Sequence, residues 1–253
     1  MPPARTIAGE DLPDGFHDEP IVAPTGRSAV AELFVLREVP RLALRSPQLV
    51  AGPRGRGQPV LVLPGHSSSD LATAPLRGYL RRRGFDARGW GLGTNHGDVN
   101  RLLPGVLDVV REMHDETSAR VHLLGWSLGG VIAREVARDM PELVAQVITY
   151  GTPVVGGPRY TLAAASYGPA QVAAIAEQVA DRNRRPVPVP LTAFFSRRDR
   201  VVAWRACIDR NNRHAEHVEV GSTHVGLGID PDVWLGVALR LARPRPRPTE
   251  ARP

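Results

Sequence analysis

Gly125-Trp126-Ser127-Leu128-Gly129 sets a serine between two glycines. It ends an apolar run, Val121-His122-Leu123-Leu124, and opens a helical pattern from Leu128 to about Asp139. A serine on a strand-to-helix turn projects its hydroxyl from the edge of a sheet, and the flanking glycines let neighbouring backbone come close. A hydroxyl is a weak nucleophile, so acyl-transfer chemistry needs a base beside it and a group that orients the base. Two later segments supply both types. Phe194-Phe195-Ser196-Arg197-Arg198-Asp199 puts an aspartate directly after an apolar strand, and Val220-Gly221-Ser222-Thr223-His224 puts a histidine after the last one. Taken singly, His224 reads as a surface-loop histidine and Asp199 as a solvated charge beside arginines. Their order and shared sheet edge favour the joint reading: Ser127 as nucleophile, His224 as base, Asp199 as its support.

The oxyanion of such a reaction needs two preorganised N–H donors. One is expected at the amide of Leu128, at a helix N-terminus where the dipole favours negative charge. The other is expected in the loop Pro64-Gly65-His66-Ser67, at the amide of His66.

The elements that must position these groups alternate along the chain. Strand signals lie at Val60–Leu63, Phe85–Arg88, Val121–Leu124, Val144–Tyr150, Pro190–Phe195 and His217–Val220. Helix signals run through Leu76 to a stop at Gly84, along the stripe Val99 to Met113, and over Leu128–Asp139, Gln171–Asn183 and Pro231–Leu241. Pro104 is expected to mark a first turn or a kink. Apolar strands alternating with helices predict a mostly parallel sheet covered on both faces, with ligands at the strands' C-terminal edge. Residues 1–50 are expected to form an arm, irregular to about residue 27, then a helix from Ser28 toward Arg45 that packs on the domain. A catalytic domain follows over 51–242, opened by a loop at Ala51–Gly57 and carrying a short lid-like insertion at 154–189. Residues 243–253 read as a disordered Arg/Pro tail.

The 253 residues suffice for one large α/β domain, and 42% hydrophobic with 23% charged is ordinary for a globular chain. The net charge of +6 rests on Arg, since the sequence contains no Lys. Schiff-base chemistry is thereby excluded. The Arg residues are scattered among acids without interleaved aromatics, so no nucleic acid partner is expected. Cys207 stands alone, which excludes an intramolecular disulfide and a thiolate-paired zinc site. Gly89–Gly97 lacks the spacing of a dinucleotide loop. His214 and His217 flank Glu216 without further ligands at metal spacing, and His122 reads as a core histidine. No signal peptide or apolar span of about 18 residues is evident, so stable membrane insertion is not expected and a cytoplasmic location is.

Together, Pro64-Gly65-His66, Gly125-Trp126-Ser127-Leu128-Gly129, Asp199-Arg200-Val201-Val202 and Gly221-Ser222-Thr223-His224-Val225-Gly226 resemble the bacterial lipase/esterase-like branch of the α/β-hydrolase superfamily. Gly151-Thr152-Pro153 is similar to that family's Gly-Thr-Pro segment along the acyl pocket, and Gly89–Asn95 to a loop of lipase-like members. The resemblance covers about residues 58–242. It implies an α/β-hydrolase fold with a minimal lid, and ester hydrolysis through an acyl-enzyme with no cofactor and no metal. Two departures stand out: Pro64-Gly65-His66 replaces the commoner His-Gly order, and Trp126 stands where many lipases have His. Ser67, Thr152, Pro153, Tyr160 and Val225 are the expected pocket residues, with Leu162 and Tyr167 on its wall, and the short insertion implies a shallow, partly open pocket. The expected partner is a small-molecule or lipid ester; no feature assigns an oligomeric state. An acyltransferase or thioesterase would use the same three residues and differs in what accepts or leaves. A non-catalytic acyl-ligand-binding protein would keep the fold without reacting.

Overall fold

The apolar runs become strands of one sheet: β1 (Arg5–Ala8), β2 (Pro59–Leu63), β3 (Asp86–Gly89), β4 (Val121–Trp126), β5 (Val144–Tyr150), β6 (Leu191–Ser196) and β7 (Glu216–Val220). This computed structural model describes residues 5–8, 20–25 and 38–244. The order is β1-β7-β6-β5-β4-β2-β3, parallel from β7 to β3 and antiparallel only at β1. Every residue of β2, β5 and β6 is buried. That is why these strands are mostly apolar along their whole length, with only Gln146, Thr149, Thr192 and Ser196 polar, and do not alternate: both faces are covered.

The helices are α1 (Glu38–Leu44), α2 (Ser46–Ala51), α3 (Asp70–Arg82), α4 (Val99–Thr117), α5 (Leu128–Asp139), α6 (Pro169–Asn183) and α7 (Pro231–Leu241). Strand side chains alternate between faces. Val60, Val62, Leu124 and Ile148 pack with Leu76 and Leu80 of α3 and Val233 and Val237 of α7. Leu61, Leu63, Leu123 and Val147 pack on the other face with Val106 and Val110 of α4 and Ile132 and Val136 of α5. The chain runs out from β2 to the edge strand β3, returns to β4, and then proceeds away through β5, β6 and β7. The direction reverses at β4, so a crevice opens at its C-terminal end between β2 and β5.

Two sequence expectations shift, at residues 5–8 and at Pro104, while the helix toward Arg45 ends where expected and the C-terminal tail lies almost wholly outside the described residues. Arg5–Ala8 is a strand and not irregular arm, because β7 would otherwise present an unpaired edge to it. Of the helix expected from Ser28 to Arg45, residues 26–37 lie outside the described residues. The described part breaks at Arg45, since Pro47 has no N–H to continue α1 and instead enters the first turn of α2. Pro104 lies inside α4, which starts earlier where Asp98 Oδ1 accepts from the Arg101 amide at 3.1 Å. The expected 243–253 tail falls outside the described residues beyond Pro244; Arg243 itself pairs with Glu216 at 2.6 Å.

His217, on β7, is fully buried, and its Nε2 accepts the Asp209 amide at 3.0 Å. Burial, against the opposing pull of the Asp209 charge, depresses its pKa from 6.5 to about 4. The folded state therefore binds fewer protons than the unfolded chain between those values. The His217 contribution to stability is complete above pH 6.5 and falls as the pH drops toward 4, by about 3 kcal/mol. Urea denaturation from pH 7.5 to 4.5 should show that fall in the wild type and a flatter profile in His217→Gln.

Candidate active site

The turn between β4 and α5 sets the first group. Ser127 has φ 52° and ψ −121°, a left-handed-side conformation that costs a non-glycine residue about 1–3 kcal/mol. Its amide donates to Tyr150 O at 2.9 Å and its carbonyl accepts from the Gly130 amide at 3.0 Å. No space is left around this turn. A Cβ on Gly125 would stand 2.3 Å from Gly130 Cα, one on Gly129 2.4 Å from Leu63 O, and one on Gly130 2.0 Å from Thr152 Oγ1. The glycine pattern is thus a steric requirement of packing α5 onto three strand ends.

Asp199 follows β6 and is almost fully buried. Its Oδ1 accepts the amides of Val201 and Val202 at 2.9 and 2.7 Å, and its Oδ2 lies 2.7 Å from His224 Nδ1. A carboxylate only accepts, so Nδ1 carries the proton and Nε2 is left as the basic nitrogen. The indole of Trp126 flanks the His224 ring at 5.8 Å between centroids. Ser127 and His224 line one cavity of about 860 Å³, which has no second nucleophile of comparable standing. Burial and then the Asp199 charge push the Cys207 thiol well above its ordinary range, so it stays protonated.

The loop after β2 faces the same cavity through Gly65 and His66. Among the described residues the amides of His66 and Leu128 donate to no protein group, which suits both to an incoming anion. A residue that sequence reasoning missed holds this loop. Asn95, fully buried, donates from Nδ2 to Pro64 O at 2.9 Å and from its amide to Ser68 O at 2.9 Å; its carbonyl accepts the Ser67 amide at 2.7 Å. Asn95 is held in turn, because Asp70 accepts the amides of Trp90 and Gly91 at 2.9 and 3.0 Å and Trp90 Nε1 donates to Gly93 O at 2.9 Å. The glycine-rich run around Asn95 was the available signal, but nothing in its spacing names a loop some thirty positions upstream.

Of the expected pocket residues, Pro153 and Val225 line the cavity, as do Leu162 and Tyr167. Three others do not. Ser67 is exposed with φ 54° and serves the loop through its backbone; Thr152 is buried behind Gly130; and Tyr160 packs with Val201 and Trp204 against the Phe195 and Val202 cluster. The 154–189 segment leaves the cavity partly open, as expected, but not shallow. Two 3-10 turns (Gly157–Tyr160 and Leu162–Ser166) and α6 roof the cavity, and Gln178 of α6 donates to Asn100 Oδ1 at 3.3 Å. Among the described residues no three His, Cys, Asp or Glu side chains gather as metal ligands: Glu216 pairs with Arg240 and Arg243, while His217 faces Asp209. His122 is a core residue, 2.7 Å from Gln146.

The chain belongs to the alpha/beta hydrolase family, whose model matches residues 60–249. Solved structures repeat the fold at low identity. One comes from work on two metagenome-derived lipolytic enzymes, LipS and LipT (19% identity, 76% of this chain and 95% of that one, TM-score 0.58). Another is Bacillus licheniformis lipase BlEst2 in mature form (16%, 75% and 94%, 0.54), and a third is a thioesterase domain from the curacin biosynthetic pathway (14%, 76% and 93%, 0.53). No helix among the described residues is long and apolar enough to cross a membrane.

Asn95→Asp keeps the acceptor that receives the Gly97 amide at 3.1 Å but removes the donor to Pro64 O. Steady-state kinetics on an activated ester should show kcat reduced about 10²-fold, the scale of a lost oxyanion donor, with KM changed far less. Gly129→Ala, which forces a methyl onto the Leu63 carbonyl, should destabilise the fold by about 3 kcal/mol in urea titrations.

Proposed function

We propose that this protein is a serine hydrolase of carboxylic esters that works through an acyl-enzyme. The observation that carries the reading is the serine held in a strained turn over the cavity that also receives a histidine fixed by a buried aspartate. Ser127 Oγ attacks the ester carbonyl while His224 Nε2 takes its proton. The amides of Leu128 and His66 receive the oxyanion, aided by the α5 dipole. Collapse breaks the bond to the alcohol, and the imidazolium returns the proton to that leaving oxygen. A water, deprotonated by the same nitrogen, then attacks the acyl carbon; the bond to Ser127 Oγ breaks as the imidazolium returns that proton to Oγ, which releases the acid and restores the hydroxyl. Asp199 keeps the proton on Nδ1 and stabilises the charged imidazolium without itself being protonated.

The lipolytic names among the fold relatives support this reading, and the thioesterase domain keeps a thioester leaving group as a second reading of the same chemistry. A fluorophosphonate probe tests the nucleophile. The wild type should be labelled at Ser127, while Ser127→Ala should resist labelling and lose about 10⁶ in kcat, down to what the oxyanion donors and binding alone provide. An unlabelled wild type would defeat the reading, and label persisting in Ser127→Ala would move the nucleophile elsewhere. Competing alcohol and thiol acceptors against water, with products separated by chromatography, distinguishes hydrolysis from acyl transfer.

A further inference from the structure

Beyond Ser127 the cavity follows one face of α5. Val131 lies one turn on and Glu135 a second turn on, and both line the cavity. At 1.5 Å per residue the distance from position 127 to 135 is about 12 Å along the axis. Across the cavity, α6 presents a matching stripe of Ile175, Val179 and Arg182. The two stripes converge on charge. Arg134 donates to Asp209 at 2.7 Å and to Asn183 at 3.3 Å; Glu135 pairs with Arg138, and Arg182 Nε lies 2.9 Å from Glu135 Oε2, close but not aligned as a hydrogen bond. Arg134, Glu135, Asn183 and Asp209 are all buried. A groove that starts at a nucleophile, passes Val131 and Val179, and ends in a closed set of ion pairs has a defined length.

We propose that this groove measures the acyl chain of the substrate, and that the Arg134–Asp209 and Glu135–Arg182 pairs end it, which selects esters of straight-chain acids of about eight carbons. The proposal rests on the hydrolase reading above. The leaving alcohol must stay beside His224, which returns its proton, so the part retained on Ser127 is the part with α5 beneath it. Helix side chains lean toward the N-terminus, so the Glu135 head reaches back over the preceding turn and shortens the usable groove to about 10 Å. An extended chain advances about 1.2 Å per bond, as the 3.3–3.6 Å span of a three-bond residue shows, so about eight bonds fit. Each methylene within the groove leaves water and favours binding. A longer chain must break the buried Arg134–Asp209 pair or part the buried Glu135 carboxylate from the half-exposed Arg182, and an uncompensated buried charge is among the costliest outcomes available.

The test compares p-nitrophenyl esters from acetate to palmitate, held below their aggregation concentrations, on wild type, Val131→Phe and Val179→Phe, with fluorophosphonate labelling of each protein. kcat/KM should climb up to about fourfold per methylene, the equivalent of ~0.8 kcal/mol, to a maximum near octanoate and drop at least about tenfold by palmitate. Either phenylalanine, one from each wall, should move the maximum to butyrate or hexanoate. A labelled wild type with a flat profile, a maximum at acetate, or a rate still climbing at palmitate overturns the ruler while leaving the nucleophile in place. So does a labelled phenylalanine variant whose maximum has not moved. Failure of the wild type to label overturns the hydrolase reading itself.

Discussion

The first turn of α5 lies against the ends of β2, β4 and β5 with no room for a side chain between them, and the functional edge of the protein is arranged around that contact. Gly129 sits on the Leu63 carbonyl, Gly130 on Thr152, and Gly125 on Gly130. The same closeness forces Ser127 into its positive φ and leaves the Leu128 amide without an intrahelical partner. Backbone strain of this kind persists only where the surroundings over-determine it. Here they do, since Ser127 is tied through its own amide to Tyr150 and through its carbonyl to Gly130. The placement of the proposed nucleophile and of an unpaired amide beside it thus comes from one packing event.

Around that contact the other groups are held by backbone as much as by side chains. Two consecutive amides fix Asp199 before it meets His224. The loop bearing His224 is braced below by Ser222, which donates to Asp230, and Arg41 of α1 reaches Glu38, Asp230 and Asp232 together. Burial raises the pKa values of both Glu38 and Asp230; for Glu38 the Asp230 charge adds to it. Arg41, joined by Arg45 at Asp232, therefore serves a cluster of acids that has been taken out of water. The N-terminal helix is in this way part of the histidine's support, although it lies far from it in sequence.

The cavity has a corresponding division. Its walls near the middle of α5 and α6 are apolar, whereas its inner end is built from paired charges that also tie α5 to the 209–212 loop and to the C-terminus of α6. Burial alone would raise the Asp209 carboxyl, but Arg134 and the amide of Asn211 hold it below its ordinary value. A charged network that fixes the roof to the floor also fixes the cavity's length.

How much of this was legible in the sequence follows from the range of the forces involved. Strand and helix periods, the glycines about Ser127, and the order of Ser127, Asp199 and His224 are set by backbone sterics and burial acting over a few residues, so the linear chain carries them openly. The clamp of Asn95 on Pro64 and Ser68, the pairing of Arg5–Ala8 with β7, the outward turn of Tyr160 and the depth of the cavity under α6 carried no such local signal. Each depends on which distant segments the sheet topology lays side by side. The candidate reacting groups are therefore named by the sequence alone, while the shape of the space they face was decided only in the tertiary structure, where contacts between segments far apart in the chain outweigh local preference.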